Sequence, residues 1–226
     1  MTEEYTKHGI DLLPNDLFGT TLKSNFHHFV ALQKILESTY DEWKGCGSYL
    51  MNGSTLNYDI GSYPKQINLF SVSSGVTNVL EIGVHGGHSL LIMLLANPNT
   101  VITCIDICEY SHVEKCVHYL NSQFNNQITL IKGSSPEILS KLDTTIFNNL
   151  DMVHIDGNHC AQAIEDELEF VKNNATKTLY VIFDDYDSSN IPNLIRKNQM
   201  LEILDIPNCP HRNCVTRLHT ENLKTF

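Results

Sequence analysis

A chain of 226 residues, 42% of them hydrophobic, has material for one α/β domain that buries roughly 70% of its unfolded surface. Its formal charge of −11 argues against a phosphate-rich duplex or an anionic membrane as the main partner, so no nucleic acid and no membrane is expected. No apolar run approaches the ~20 residues of a membrane span, and the acidic N-terminus is unlike a signal peptide. The seven cysteines are irregularly spaced and read as reduced, so a cytoplasmic protein is expected.

Residues 1–20 carry no clear periodicity and are expected to form an arm or loose cap. Leu22, Phe26, Phe29, Val30, Leu36 and Tyr40 share one helical face, interrupted by Gln33, which predicts a helix laid on the domain's surface. Residues 45–61, rich in Gly, Ser, Asn and Tyr, read as a loop or lid, and Pro64 suits the start of a short helix ending at Ser74-Gly75.

From Val79 onward strand and helix patterns alternate. Residues 79–83 form a buried strand ending in glycine, 89–96 an almost wholly apolar helix, and 101–105 a second strand closed by Asp106. A helix carrying Val113, Cys116, Val117 and Leu120 leads to a third strand at 128–131, a short helix at 136–139, and a fourth strand beginning at Met152. Cys160, Ala161, Ile164, Leu168 and Val171 then form an apolar stripe, with Glu165, Asp166 and Glu169 turned outward. Residues 179–183 are a fifth strand ending in Asp184-Asp185. A helix at 191–197 and two strands, 201–206 and 215–219, close the chain; the connection between those strands is too short for a crossover helix and implies an antiparallel pair. The fold class is α/β and Rossmann-like, with seven strands and an N-terminal helical and loop cap.

Candidate chemistry collects at strand ends, where ligands bind in an open parallel sheet. The stretch from Leu80 to Ser89 joins strand to helix; its glycines permit close backbone approach, and the helix N-terminus favours a carboxylate or phosphate. Gly83 and Gly87, preceded by Glu81, depart from the GxGxxG dinucleotide fingerprint and resemble the first motif of S-adenosylmethionine (SAM)-dependent methyltransferases. Asp106, at the end of the next strand, is placed to accept hydrogen bonds from ribose hydroxyls. Gly133-Ser134-Ser135 ends the third strand at the same edge. Asp156, Asp184 and Asp185 end neighbouring strands, and like charges so close would raise one another's pKa. A hard divalent cation such as Mg²⁺ resolves that repulsion and leaves positions for a bidentate diol. Cys209, His211 and Cys214 make a weak zinc set, since no second pair accompanies them. His154 alternates within its strand and reads as a satisfied core histidine.

These motifs, over residues 58–185, resemble the metal-dependent O-methyltransferases: catechol O-methyltransferase in plan, and more closely the macrocin-type sugar O-methyltransferases. The resemblance implies the seven-stranded methyltransferase fold; the SAM-binding domain is read as 58–226, and residues 1–57, which the resemblance does not cover, as an N-terminal arm, helix and lid. Tyr58, Asp59, Ile60 and Gly61 resemble the segment closing over the cofactor's methionine end. Glu81, Gly83, His85, Gly87 and Ser89 fall on the first motif, Asp106 on the ribose acid, and Ser134 and Ser135 on the adenine contact, with Asp156 also beside the cofactor. Asp156, Asp184 and Asp185 fall on the metal ligands, and His159 on the general base of the sugar enzymes. The catechol enzymes carry Asp-Asn at 184–185 and a lysine at 159, so this chain departs from them there.

The expected activity is methyl transfer from SAM to a hydroxyl of a small metal-chelating diol, a saccharide by this resemblance, with Mg²⁺ or another divalent cation. Two alternatives stand beside it: a catechol-like small-molecule methyltransferase, with Tyr49, Tyr58 and Tyr63 able to wall either acceptor, and a non-catalytic SAM- or metal-binding module. His85 and His88 lie near the same rim and are rival bases, or first-turn residues without chemistry. A homo-oligomer is compatible with the sequence.

Overall fold

The computed structural model describes residues 8–186 and 190–220. Seven strands, β1 (Asn78–Ile82), β2 (Val101–Asp106), β3 (Ile128–Lys132), β4 (Met152–Ile155), β5 (Leu179–Phe183), β6 (Leu201–Ile203) and β7 (Cys214–Leu218), make one sheet in the order β3-β2-β1-β4-β5-β7-β6. All neighbours pair in parallel except β7, which runs against both β5 and β6. The chain winds outward from β1 through β2 to β3, then returns to β4 on β1's other side. The crevice at the carboxyl ends of β1 and β4 is therefore the switch point, where ligands bind in such sheets.

Alternation along the strands splits the core in two. Val79, Ile102, Met152, Ile182 and Val215 face one layer; Leu80, Ile82, Ile105, Val153, Ile155 and Phe183 face the other. The first layer is covered by α1 (Leu17–Ser24), α2 (Phe26–Glu37), α3 (Tyr40–Trp43), α4 (Tyr63–Ser73), α5 (His88–Ala96) and α6 (His112–Gln123). The second is covered by α7 (Ser135–Leu139), α8 (Ala161–Asn174) and α9 (Ile191–Lys197). Every residue of α5 from His88 to Leu94 is buried, as its apolar composition requires.

The N-terminal segment departs from the sequence expectation in three ways. The surface helix over 22–40 is three helices: Asn25 (φ −112°, ψ 21°) breaks it before Phe26, and Thr39 breaks it again. Gln33 does not interrupt a face; it is buried and its Nε2 donates to the Leu56 carbonyl at 2.8 Å. The cap is not loose over its described part, because Ile10, Leu13 and Phe18 are buried in the same cluster as Leu90 and Leu91, while residues 1–7 lie outside the described residues. Asp16 caps α1 by accepting from the Gly19 N–H at 2.8 Å.

The helical layer also buries histidines. His28 Nδ1 lies 2.8 Å from the Tyr119 hydroxyl, and His112 Nδ1 lies 3.1 Å from Thr39 Oγ1. His88 stacks on Phe29 and meets the Ser48 hydroxyl, which ties the lid segment to α5. Burial lowers all three, His28 and His112 to about 4 and His88 to about 3. Among the described residues no helix is long and apolar enough to cross a membrane.

Candidate active site

The carboxyl ends of β1 to β5 open into one cavity of about 810 Å³, a size suited to a nucleoside-bearing cofactor and a small second molecule. Gly83 turns the chain out of β1 with φ +91°, and a Cβ placed on it would lie 2.1 Å from the Asp156 carbonyl oxygen. Only glycine lets the β1 and β4 loops approach this closely. Asp106 braces the same loop. Its Oδ2 accepts from the Val84 N–H at 2.7 Å and the His85 N–H at 3.2 Å, and its Oδ1 from the Cys108 N–H at 2.6 Å. A carboxylate offers about four acceptor sites, so capacity remains for one further donor. Ile107, next along, is 61% exposed yet lines the cavity, an apolar surface fit for the face of a flat ring.

The β4 and β5 ends form the rim. Asp156, His159 and Asp185 bring one ligand atom each within 4.8 Å of one another. His159 Nδ1 lies 2.7 Å from Asp185 Oδ2, and Asp185 holds a left-handed backbone (φ 51°), uncommon for a residue other than glycine. Through that hydrogen bond the Asp185 carboxylate raises the imidazole's pKa and its own falls. Burial, then the Asp184 charge, pushes the Asp156 carboxyl well above its ordinary value.

Asp184 has a partner that sequence reading missed. Lys65 Nζ on α4 donates to Asp184 Oδ2 at 2.8 Å, and both side chains are buried. Burial alone would lower the lysine's pKa, but the Asp184 and Asp156 charges outweigh it and the net shift is upward. The ammonium also sits 4.2 Å from the centroid of the Tyr49 ring. From Tyr49 a buried chain runs inward: its hydroxyl meets His154 Nε2 at 2.9 Å, and His154 Nδ1 meets Glu81 Oε1 at 2.9 Å. His154 is the satisfied core histidine its strand position predicts.

Gly83, His85, Ser89, Asp106, Ser134, Ser135, Asp156, His159, Asp184 and Asp185 all line this cavity. Tyr58, Ile60, Gly61, Glu81 and Gly87 lie outside the lining, for separate reasons. Tyr58 is buried with its hydroxyl donating to Gln66; the neighbours of Ile60 and Gly61, Asp59 and Ser62, reach the cavity instead. Glu81 turns to His154, and Gly87 (φ +71°) packs against Leu120 and Cys116 as it starts α5. Cys209, His211 and Cys214 do not gather as a metal group; among the described residues only Asp156, His159 and Asp185 do. His85 and His88 also line the cavity, but burial depresses both pKa values, which makes each a poorer proton acceptor than His159.

Besides Lys65 and Ile107, sequence reading missed Arg212, which lines the cavity and donates to Ser62 Oγ at 2.6 Å. Lys65 did leave a signal: it stands four residues before Leu69, on the buried face of its helix.

Residues 80–186 match the family described as a methyltransferase domain. That span runs from within β1 to the turn after β5 and contains Gly83, Asp106, Asp156, His159, Asp184 and Asp185. Among solved structures, the O-methyltransferase TomG from Streptomyces achromogenes, involved in tomaymycin synthesis and bound to SAM, has a TM-score of 0.61 and 16% identity, covering 92% of each chain. An O-methyltransferase from Bacillus cereus in complex with S-adenosylhomocysteine has a TM-score of 0.57 and 15% identity, over 83% of this chain and 90% of that one. A methyltransferase from Geobacter sulfurreducens has a TM-score of 0.53 and 11% identity, over 85% and 89%. At such identities the likeness establishes the fold: a Rossmann-like methyltransferase fold with a seven-stranded mixed sheet. No curated protein matches the chain.

Proposed function

We propose that the protein is a SAM-dependent O-methyltransferase acting on a hydroxyl of a small vicinal diol, a sugar or glycoside by preference, with His159 as general base. The observation that carries the reading is the His159–Asp185 pair, 2.7 Å apart, on the rim of the cavity that Gly83 and Asp106 line. A carboxylate on Nδ1 fixes the imidazole's orientation and leaves Nε2 for a substrate hydroxyl. Gly83 lets the cofactor's amino-acid portion approach the backbone, Asp106 takes a ribose hydroxyl, and Ile107 faces the purine. The matched methyltransferase domain and the cofactor-bound state of two structural neighbours support this placement.

The rim suits a divalent cation. Asp156 and Asp185 offer hard oxygen donors, and Asp184 Oδ1 is buried with no hydrogen-bond partner among the described residues. Asp156, Asp185 and the free oxygen of Asp184 would hold Mg²⁺ or a similar ion, which lowers the pKa of a coordinated hydroxyl. His159 accepts the substrate hydroxyl's proton at Nε2. Asp185 keeps the ring aimed, Lys65 holds Asp184 in place, and positioning supplies much of the rate.

The test is formation of S-adenosylhomocysteine from SAM with a panel of glycosides and catechols, with Mg²⁺ and after chelation. Turnover with a vicinal-diol glycoside that chelation abolishes is the expected result. Turnover with phenols alone would replace the sugar acceptor by a catechol-like one, and turnover that ignores chelation would remove the metal.

A further inference from the structure

Glu167 is a buried carboxylate that the proposed chemistry does not use. It lies on α8, is 1% exposed, and accepts a hydrogen bond at Oε1 from the Ser135 hydroxyl, while Oε2 has no partner among the described residues. Keeping an acid there is costly, and burial pushes its pKa up to about 7. A serine needs no carboxylate to start a helix, so the pair calls for another explanation.

Ser135 faces the cavity at the end of β3, the strand next to β2 on the sheet's outer side. Asp106 and Ile107 at the end of β2 line the same cavity as Ser135, so a base attached to a ribose on Asp106 would extend across Ile107 toward Ser135. A hydroxyl whose proton is committed to a carboxylate behind it can only accept on its other side. We infer that Glu167 is a positioning residue that holds the Ser135 oxygen as an acceptor for the exocyclic amine of adenine, so that the pair selects a 6-amino purine over a 6-oxo purine. A 6-oxo base would set a carbonyl oxygen against the serine oxygen, leaving both acceptors unpaired. The inference rests on the cofactor reading above and adds the residue that gives it base specificity.

The test is calorimetric binding of S-adenosylhomocysteine and S-inosylhomocysteine at pH 8, where the carboxylate is ionised, to the wild type and to Ser135→Ala, Glu167→Leu and Glu167→Gln, each checked for folding by thermal melting. The wild type should prefer the adenosyl compound by about tenfold or more. Ser135→Ala and Glu167→Leu should lose most of that preference, and Glu167→Gln, whose amide carbonyl can still accept from Ser135, should keep more of it. A folded Glu167→Leu that discriminates like the wild type would overturn the role of Glu167, as would a wild type that binds both compounds equally. A wild type that binds neither would overturn the cofactor reading itself and this inference with it.

Discussion

His159→Ala should lower turnover by roughly 10² to 10⁴ while leaving cofactor affinity unchanged. The two effects separate because the ring sits on the rim, more than half exposed and bonded to Asp185, whereas the glycine loop braced by Asp106 lies at the ends of β1 and β2. A sugar hydroxyl is a weak nucleophile at neutral pH, so removing the group that takes its proton raises the barrier to the chemical step itself. Asp185→Asn should fall between wild type and His159→Ala. The amide can still accept from the ring but no longer carries the charge that stabilises the imidazolium. Single-turnover rates with saturating SAM, paired with calorimetric affinities, measure both halves. Unchanged turnover in folded His159→Ala would remove the residue from the base role.

The second large effect is on stability in acid. Burial holds His28 and His112 at about 4 and His88 at about 3, well below the ordinary histidine value of about 6.5. The folded state therefore keeps these rings neutral, while the unfolded chain protonates them as soon as pH drops below about 6.5. Their contribution to stability is fully present above that value and is lost as pH falls toward 4 and then 3. At pH 4.5 each costs on the order of 1–2 kcal/mol, a sizeable fraction of a typical total stability of about 5–15 kcal/mol. Denaturant unfolding followed from pH 7.5 to 4.5 should show a steep loss of stability, and His88→Phe, which keeps the ring beside Phe29, should flatten it. A wild-type curve level down to pH 4.5 would contradict the buried, neutral state of these rings.

Much of the α/β frame was legible because the signals are local. Apolar runs such as 101–105 are too short for helices and too uniform for an exposed face, and Gly83, Asp106 and Asp184 mark where strands end. The site's outline followed from the same punctuation, since strand ends on a parallel sheet share one rim. What escaped were pairings set by distant chain segments. Nothing near Asp184 announces Lys65, 119 residues earlier, and nothing near Ser135 announces Glu167. Glu167 betrays itself only as a charged residue between Ile164 and Val171 on an otherwise apolar face, whereas Lys65 shares its buried face with Gln66, Asn68 and Ser73 as well as Leu69 and Phe70 and stands out less. The break of the N-terminal helix at Asn25 was equally hidden, because the apolar spacing of Leu22, Phe26 and Phe29 runs through it unbroken.

Calorimetric titration of the purified protein with SAM, before and after chelation and alongside Gly83→Ala, tests cofactor binding at the β1–β4 crevice most directly. One-to-one binding that survives chelation is expected in the wild type. Gly83→Ala should lose that binding, because the added Cβ would fall 2.1 Å from the Asp156 carbonyl and force the β1 and β4 loops apart. Absence of SAM binding to folded wild-type protein under both conditions would contradict a SAM-dependent methyltransferase.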